Sequence, residues 1–361
     1  MLKRSVHLYE RFSHCIHRPL DGKSGAKQMK YSCLKALSSL LLLTGLPAAL
    51  WAQSCQTRDE APEQIKTAVE TGAQKVFEQA AKGDVNGMKA NAMPSLQSGF
   101  DGIATAISDN KAGIEGARSQ LRASFLLDTG ATPAPDGRFY CGVFGANGMT
   151  GGSAEFDLPG LPAGKYAIVI QDLTGGKAPF ALTTIFQDSG GWKLAGFYIR
   201  PESAIGHDGL WYLERARDFK GKGQAHSAWI NYVTSWDLMA PVTFIETRLL
   251  SKITQESNSI HPKDIPGGGN AVDYSANGKT YKILSMSVIH NEKTMDLSIK
   301  YSVPSTADFN ATQADARNLA NAYVAQYPEL KEVVNNVWTH AVDSSGGDVA
   351  GLVNLKPAAK E

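Results

Sequence analysis

The chain has almost no excess of charge of either sign. Its 36 Lys and Arg stand against 35 Asp and Glu, a formal net charge of +1 over 361 residues. That balance excludes a broad basic face of the kind that holds nucleic acid. Cysteine is scarce, at Cys15, Cys33, Cys55 and Cys141. Metal patterns are missing: His207, His226, His261, His290 and His340 fall in no HExxH, HxH or Cys/His cluster at zinc spacing. Neither a metal nor another cofactor is expected. Nucleophile signatures are missing as well, with no GxSxG and no SxxK. Two glycine-rich stretches, GANGMTGG at 145–152 and PGGGN at 266–270, lack a following Lys-Ser/Thr and open no helix. They read as connections, not phosphate cradles.

Long apolar runs are limited to one. Residues 35–50, KALSSLLLLTGLPAAL, follow basic residues and lead into WAQSC, the layout of a secretory signal peptide. The run is too short, and too broken by Gly45 and Pro47, for a membrane span. Met29 opens the best basic start, MKYSCLK, so 29–54 read as the signal peptide. Residues 1–28 then read as an upstream leader or misread start, and the HCIH of His14–His17 leaves with them. Cleavage falls after Ala52 or Ser54; acylation at Cys55 is the alternative and the one route to a membrane, although Ala52 stands where a lipobox carries Leu. The expected location is secreted or periplasmic. Two cysteines remain in an oxidising compartment, which predicts a Cys55–Cys141 disulfide.

What is present is 43% apolar residue content and a clear change of texture along the chain. Residues 55–201 open with an amphipathic helix over 61–82, where Ile65, Val69, Ala73 and Val76 or Phe77 recur at three- and four-residue spacing and Pro62 suits the first turn. A second helical tract is expected over Val85–Met93. A third is expected over Ser95–Leu127, marked by Phe100, Ile103, Ile107, Ile114, Leu121 and Phe125. After the loop Asp128–Gly137 the period becomes two. RFYCGVFG and the strands Lys165–Leu173, Phe180–Gln187 and Trp192–Arg200 follow, with TGGKAP and DSGG as turns. Helices followed by an antiparallel meander make an α+β plan.

The last strand, GGWKLAGFYIRP from Gly190 to Pro201, carries Gly191, Trp192, Lys193, Leu194, Phe197 and Tyr198 in a recurrent closing pattern. With the preceding helices it resembles the NTF2-like superfamily, a cystatin-type α+β cone, over about residues 60–201. The resemblance implies a curved antiparallel sheet wrapped on helices and shut by the Trp192 segment. Its functions are diverse: isomerases, hydrolases, transport factors and secreted accessory domains. It also implies a homodimer through the open sheet face, unless the helices after Pro201 cover that face. Tyr166, Ile168, Ile170, Leu182, Phe186, Trp192, Leu194 and Tyr198 are the inward alternates, which line a ligand cavity or fill a core. Asp172 and Asp188 lie where a cone's general base would sit, but beside turns, and Asp157 lies in a loop; no catalytic residue is assigned.

Residues 206–258 are helical. Asp208 is a plausible N-cap, and small residues at Ala216, Gly223, Ala228 and Ser235 alternate with aromatics in the manner of one tetratricopeptide (TPR)-type hairpin. No second copy follows, so the hairpin must pack on something else, with Thr243–Ser257 as an added helix. Trp211, Tyr212, Trp229 and Trp236 are core aromatics, or a partner surface wherever they stay exposed. Residues 259–270 read as a linker. Residues 271–356 read as a small βββαββ domain with a tight turn at Asn277-Gly278. The expected function is an exported, non-enzymatic scaffold that binds a protein or a small-molecule ligand. The alternative is an enzyme using the cone's cavity for proton-transfer or hydrolytic chemistry.

Overall fold

The computed structural model describes residues 53–134, 136–142 and 152–356. The leader, the apolar run and Met29 lie outside the described residues, as does all but Gly152 of the GANGMTGG stretch.

The first unit is built as expected at its start and differently after it. Helix α1 (Glu63–Lys82) ends where Gly83 takes a left-handed backbone, φ 70°, and closes the last turn. Helix α2 (Val85–Ala90) is capped by the Asp84 carboxylate on the Gly87 N–H. Helices α3 (Pro94–Gln97) and α4 (Phe100–Ile114) follow. The third tract is therefore not one helix to Leu127: Gly116, at φ 74°, turns the chain, and Arg118–Asp128 is strand β2. Leu121 and Phe125 stand four apart, a spacing that fits a helix face and a strand face equally. A bulge between Leu121 and Ala123 decides their fates, sending Leu121 to the helix side of the sheet and Phe125 to the other.

Strand β1 (Ser54–Thr57) was not foreseen; it pairs antiparallel with β2, Cys55 opposite Leu127. With β5 (Lys165–Thr174), β6 (Phe180–Asp188) and β7 (Trp192–Pro201) these make a five-stranded antiparallel sheet in the order β1-β2-β5-β6-β7. The sheet is open, with β1 and β7 at its edges. The β7 edge is covered where Met93 N–H donates to Leu194 C=O at 2.7 Å and Leu194 N–H donates to Asn91 C=O at 3.0 Å. The chain between α2 and α3 thus covers the open edge of the Trp192 strand.

Strands β3 (Arg138–Cys141) and β4 (Ala154–Asp157) form a second small sheet, joined by β10 (Ile245–Glu246) from far down the chain. Helices α1, α2 and α4 pack on one face of the large sheet, against Val169, Leu182 and Phe186. The small sheet and residues 240–250 pack on the other, against Phe125, Ile168 and Ile170. The second face of the large sheet is therefore occupied by the chain's own β3, β4 and β10.

After the short ribbon β8 (Ser203–Ala204) and β9 (His207–Asp208) comes the helical hairpin, α5 (Gly209–Gly221) and α6 (Ala225–Met239). Asp208 caps α5 through the Trp211 N–H, as expected, and Gly223 turns the chain at φ 73°. Gly209 is required by the close approach of α6: a Cβ there would stand 2.3 Å from Met239 Cγ. Ser235 seals the contact by donating to the Gly209 carbonyl at 2.7 Å. Helix α7 (Arg248–Asn258) docks through Glu256, held by Arg217 in two bonds of 2.8 Å and by the Tyr232 hydroxyl at 3.1 Å.

The C-terminal unit follows the βββαββ reading closely: β11 (Val272–Ala276), β12 (Lys279–His290), β13 (Met295–Ser302), α8 (Phe309–Gln326), a short α9 (Leu330–Val333), β14 (Asn336–Val342) and β15 (Asp348–Asn354). Asn277 and Gly278, at φ 52° and 75°, make the two-residue hairpin turn. Strands β13 and β14 are parallel, as a crossover through α8 requires, and the other neighbours are antiparallel. The hairpin finds its packing partner here. Ala216, Phe219, Ala228 and Tyr232 share one apolar core with Ile283, Leu297, Ile299 and Leu319. The stretch 259–270 is part of that body, since Ile265 is 3% exposed in the same core.

Candidate functional site

The inward alternates of the first unit do not face a common space. Tyr166, Ile168 and Ile170 are buried against the small sheet, while Leu182, Phe186 and Leu194 are buried against the helices. Trp192 is half-buried on the helix side; Tyr198 sits on the other side, edge-on to Phe244 at 5.3 Å and partly exposed. A strand sends alternate side chains to opposite faces, and β5 and β6 are covered on both, so the set splits by parity. A niche between α1 and β2, bordered by Ile65, Lys66, Ser124 and Phe125, measures about 10 Å³, the room of roughly one water molecule.

The acids at the strand ends are committed to structure. Asp172 and Glu202 share the guanidinium of Arg122, which ties β2 and β5 to the chain after β7. Burial holds the Glu202 carboxyl above its usual range despite Arg122. Asp188 accepts from the Gly191 N–H at 3.1 Å within its turn. Asp157 ends β4 on an exposed position, with only its backbone N–H shown bonded, to Phe244 C=O at 3.0 Å.

Buried acid–histidine pairs exist elsewhere, and sequence reasoning missed them. Both involve α6. At its C-terminal end Asp237 bonds Arg200 of β7 and, at 2.7 Å, His290 Nε2 of β12. Burial alone would raise the Asp237 carboxyl; the opposing pull of Arg200 and His290 wins and holds it down at about 2. At the N-terminal end His226 Nε2 meets both Asp264 oxygens, at 2.9 and 3.0 Å, and the Tyr323 hydroxyl of α8 donates to Asp264 at 2.9 Å. Burial works against the Asp264 charge, yet the bonds from His226 and Tyr323 keep its carboxyl below the ordinary range. Burial and then the Asp264 charge push the Tyr323 hydroxyl well above 10. The His226 ring also lies on Tyr327, centroids 3.7 Å apart. These partners are 37 to 59 residues apart in sequence, so no local spacing could reveal them. The one visible signal was an acid, Asp237, in an otherwise apolar helical stretch, YVTSWDLMAP. Each pair lies where modules meet. They act as ties.

The hairpin aromatics divide too. Tyr212 and Trp229 are buried, and the Tyr212 hydroxyl donates to Ala204 C=O at 2.8 Å. Trp236 is half-buried between the core of the C-terminal unit and the core behind the first sheet. Trp211 is half-buried, packed on the edge of the core of the C-terminal unit. His207 stacks on it at 3.7 Å and 5° between planes, and the Arg215 guanidinium sits 5.0 Å from its ring centre. Beside it Leu210 is 53% exposed, which leaves an apolar and cationic ridge along α5.

Cys55 and Cys141 form the expected disulfide, tying β1 to β3. Among the described residues no group of three His, Cys, Asp or Glu is arranged to hold a metal ion. Among the same residues no helix is long and apolar enough to cross a membrane. No protein-family model, curated protein or solved structure matches the chain.

Proposed function

We propose that the chain is an exported, non-enzymatic scaffold that binds a protein or ligand through its outer surfaces. The observation that carries this reading is the packing of the first sheet, both of whose faces are filled by the chain's own elements. An enzyme of the cone type needs a cavity with a titratable group inside it. Here the buried acid–histidine pairs are spent on holding three modules together.

Helices laid on one face of an open antiparallel sheet support the NTF2-like reading of residues 55–201, and the α5–α6 hairpin supports the TPR-like reading of 206–258. The Cys55–Cys141 bond supports a secreted or periplasmic location. A Cys55 sulfur in a disulfide has no valence for a lipid thioether, so this reading has no acyl anchor at Cys55. The α5 ridge of Leu210, Trp211, His207 and Arg215 is the working surface of the hairpin, since aromatic and Arg side chains are the usual anchors of protein contacts.

Site-specific photocrosslinking in the native envelope tests it. A photoreactive residue at Leu210 is expected to give one discrete adduct, and the same residue at exposed Lys193 none. Equal labelling at both positions, or a small molecule co-purifying between α1 and β6, would remove the scaffold reading.

A further inference from the structure

Five of the chain's 12 tyrosines form one row inside the C-terminal unit. Tyr301 and Tyr281 meet edge to face, with centroids 5.4 Å apart. Tyr281 stands opposite Tyr274 in the β11–β12 register, on the same face of the sheet. The Tyr274 ring lies 5.3 Å from that of Tyr323 on α8, and Tyr323 lies 4.9 Å from Tyr327. The first four rings are buried, each at 4% exposure or less. Tyr327 is half-buried, and its hydroxyl accepts from Gln326 Nε2 at 3.1 Å. The row therefore leads from the core toward the surface.

Three of the phenol hydroxyls end on acids. Tyr323 donates to Asp264 Oδ2 at 2.9 Å, and Tyr301 and Tyr281 donate to the two oxygens of Asp315 at 3.0 and 3.2 Å. Burial first, and the nearby carboxylate second, push the Tyr281 hydroxyl up to about 12 and the Tyr323 hydroxyl well above 10. These phenols do not ionise by losing a proton alone. Loss of an electron is different. A phenol radical cation is a strong acid, so its proton passes to a hydrogen-bonded carboxylate and the ring is left as a neutral phenoxyl. Burial penalises a charge, not a neutral radical. An electron also needs no cavity, since it crosses rings already packed together.

Of the four buried rings, Tyr323 is best placed to hold the oxidised state. Tyr274 donates to the Gln326 carboxamide at 2.7 Å, and a carboxamide is no base. Tyr281 lies under the Lys279 ammonium, 4.8 Å from its ring centre, and a cation there opposes loss of an electron. Tyr301 shares Asp315 with that same lysine, bonded at 2.6 Å. Asp264 is paired with His226 and with no Lys or Arg among the described residues.

We propose that this row is a one-electron relay whose longest-lived radical sits on Tyr323. A small one-electron oxidant in solution, such as the carbonate radical, takes an electron from Tyr327 and is reduced to carbonate. Tyr327 is refilled by an electron from Tyr323, and the Tyr323 hydroxyl proton moves to Asp264 Oδ2. A one-electron reductant of the ascorbate type returns the electron through Tyr327, and Asp264 then gives the proton back. The relay is stoichiometric electron transfer, and it does not depend on the α5 ridge being a working surface.

The test is laser photo-oxidation of the mature, disulfide-bonded protein by tris(bipyridine)ruthenium, with a cobalt(III) ammine as electron sink. Transient absorption and freeze-quenched electron paramagnetic resonance read the radical. A phenoxyl is expected that persists about tenfold longer than that of N-acetyltyrosinamide under the same light. Tyr323→Phe and Asp264→Asn should each remove the long-lived component. Tyr140→Phe, at an exposed tyrosine outside the row, should leave it in place. Ring-deuterated tyrosine placed at position 323 alone changes no packing and should narrow the resonance signal, which guards against a Tyr323→Phe variant that fails to fold. The proposal is overturned if no long-lived phenoxyl forms, if it survives Tyr323→Phe or Asp264→Asn, if it disappears in Tyr140→Phe, or if the label at position 323 leaves the signal width unchanged.

Discussion

Asp237 and His290 meet at 2.7 Å across the joint between α6 and β12, and Asp237 at the same time holds Arg200 of β7. One carboxylate thus ties the first sheet, the helical hairpin and the C-terminal sheet. Breaking a buried pair by removing one partner leaves an uncompensated charge, a loss of about 3–5 kcal/mol. Asp237→Ala should cost that much in urea unfolding. Arg200→Ala together with Asp237→Ala should cost clearly less than the sum of the two single changes. Additive effects would mean that the joint is not a tie.

The same carboxylate gives a pH dependence with a definite sign. Its folded value is held at about 2, below that of an unfolded aspartate. Its contribution is therefore fully present above roughly pH 4 and is lost as pH falls through about 2. Asp237→Asn should flatten the acid limb of the stability curve in that window and leave the rest of its shape in place, as urea midpoints measured from pH 2 to 7 would show.

A second carboxyl pair acts in the opposite direction. Glu246 and Glu155 stand opposite each other on β10 and β4. Burial raises both carboxyls; each is raised further by a neighbouring acid, Glu155 for Glu246 and Asp157 for Glu155. Raised values mean stability that is present at low pH and lost as pH climbs through them. Like charges directly opposite on a sheet are destabilising, so Glu246→Gln should stabilise the protein at pH 7 by about 0.5–1 kcal/mol and do little at pH 4. Thermal unfolding at the two pH values measures this.

The disulfide Cys55–Cys141 closes a separation of 86 residues. By chain entropy a loop of that length is worth about 4.5 kcal/mol. Alkylation of the unreduced mature protein should find no free thiol, and the Cys55→Ser, Cys141→Ser double variant should unfold at lower denaturant concentration with an unchanged fold.

Gly209 marks the closest approach of α5 and α6. A Cβ there would also stand 3.1 Å from the Ser235 carbonyl oxygen, which as backbone cannot move aside easily. Gly209→Ala should cost about 1–3 kcal/mol by overpacking. Met239→Ala removes the nearer obstacle and should recover part of that loss in the double variant.

What the sequence made legible follows from how local each signal is. The C-terminal unit was readable because Asn277-Gly278 fixes a hairpin and the alternation along β12 to β15 is regular. The Asp208 cap and Gly223 turn bounded the hairpin for the same reason. Strand β2 was misread because its apolar residues straddle a bulge, so no single period holds from Leu121 to Leu127. Strand β10 is two residues long and earns its place only through pairing with β4. The ties at His226 and Asp237 join residues brought together only by folding, and the division of Tyr166 from Leu182 depends on which layers cover the sheet, a tertiary fact.

The most direct measurement of the central claim is an amide NMR screen of the mature protein against a small-molecule fragment set at millimolar concentration. The account predicts that the amides of Ile168, Leu182 and Leu194 stay unmoved while surface positions respond. A fragment that saturably shifts these interior amides, from both faces of the first sheet at once, would reveal a cavity between them and contradict the account.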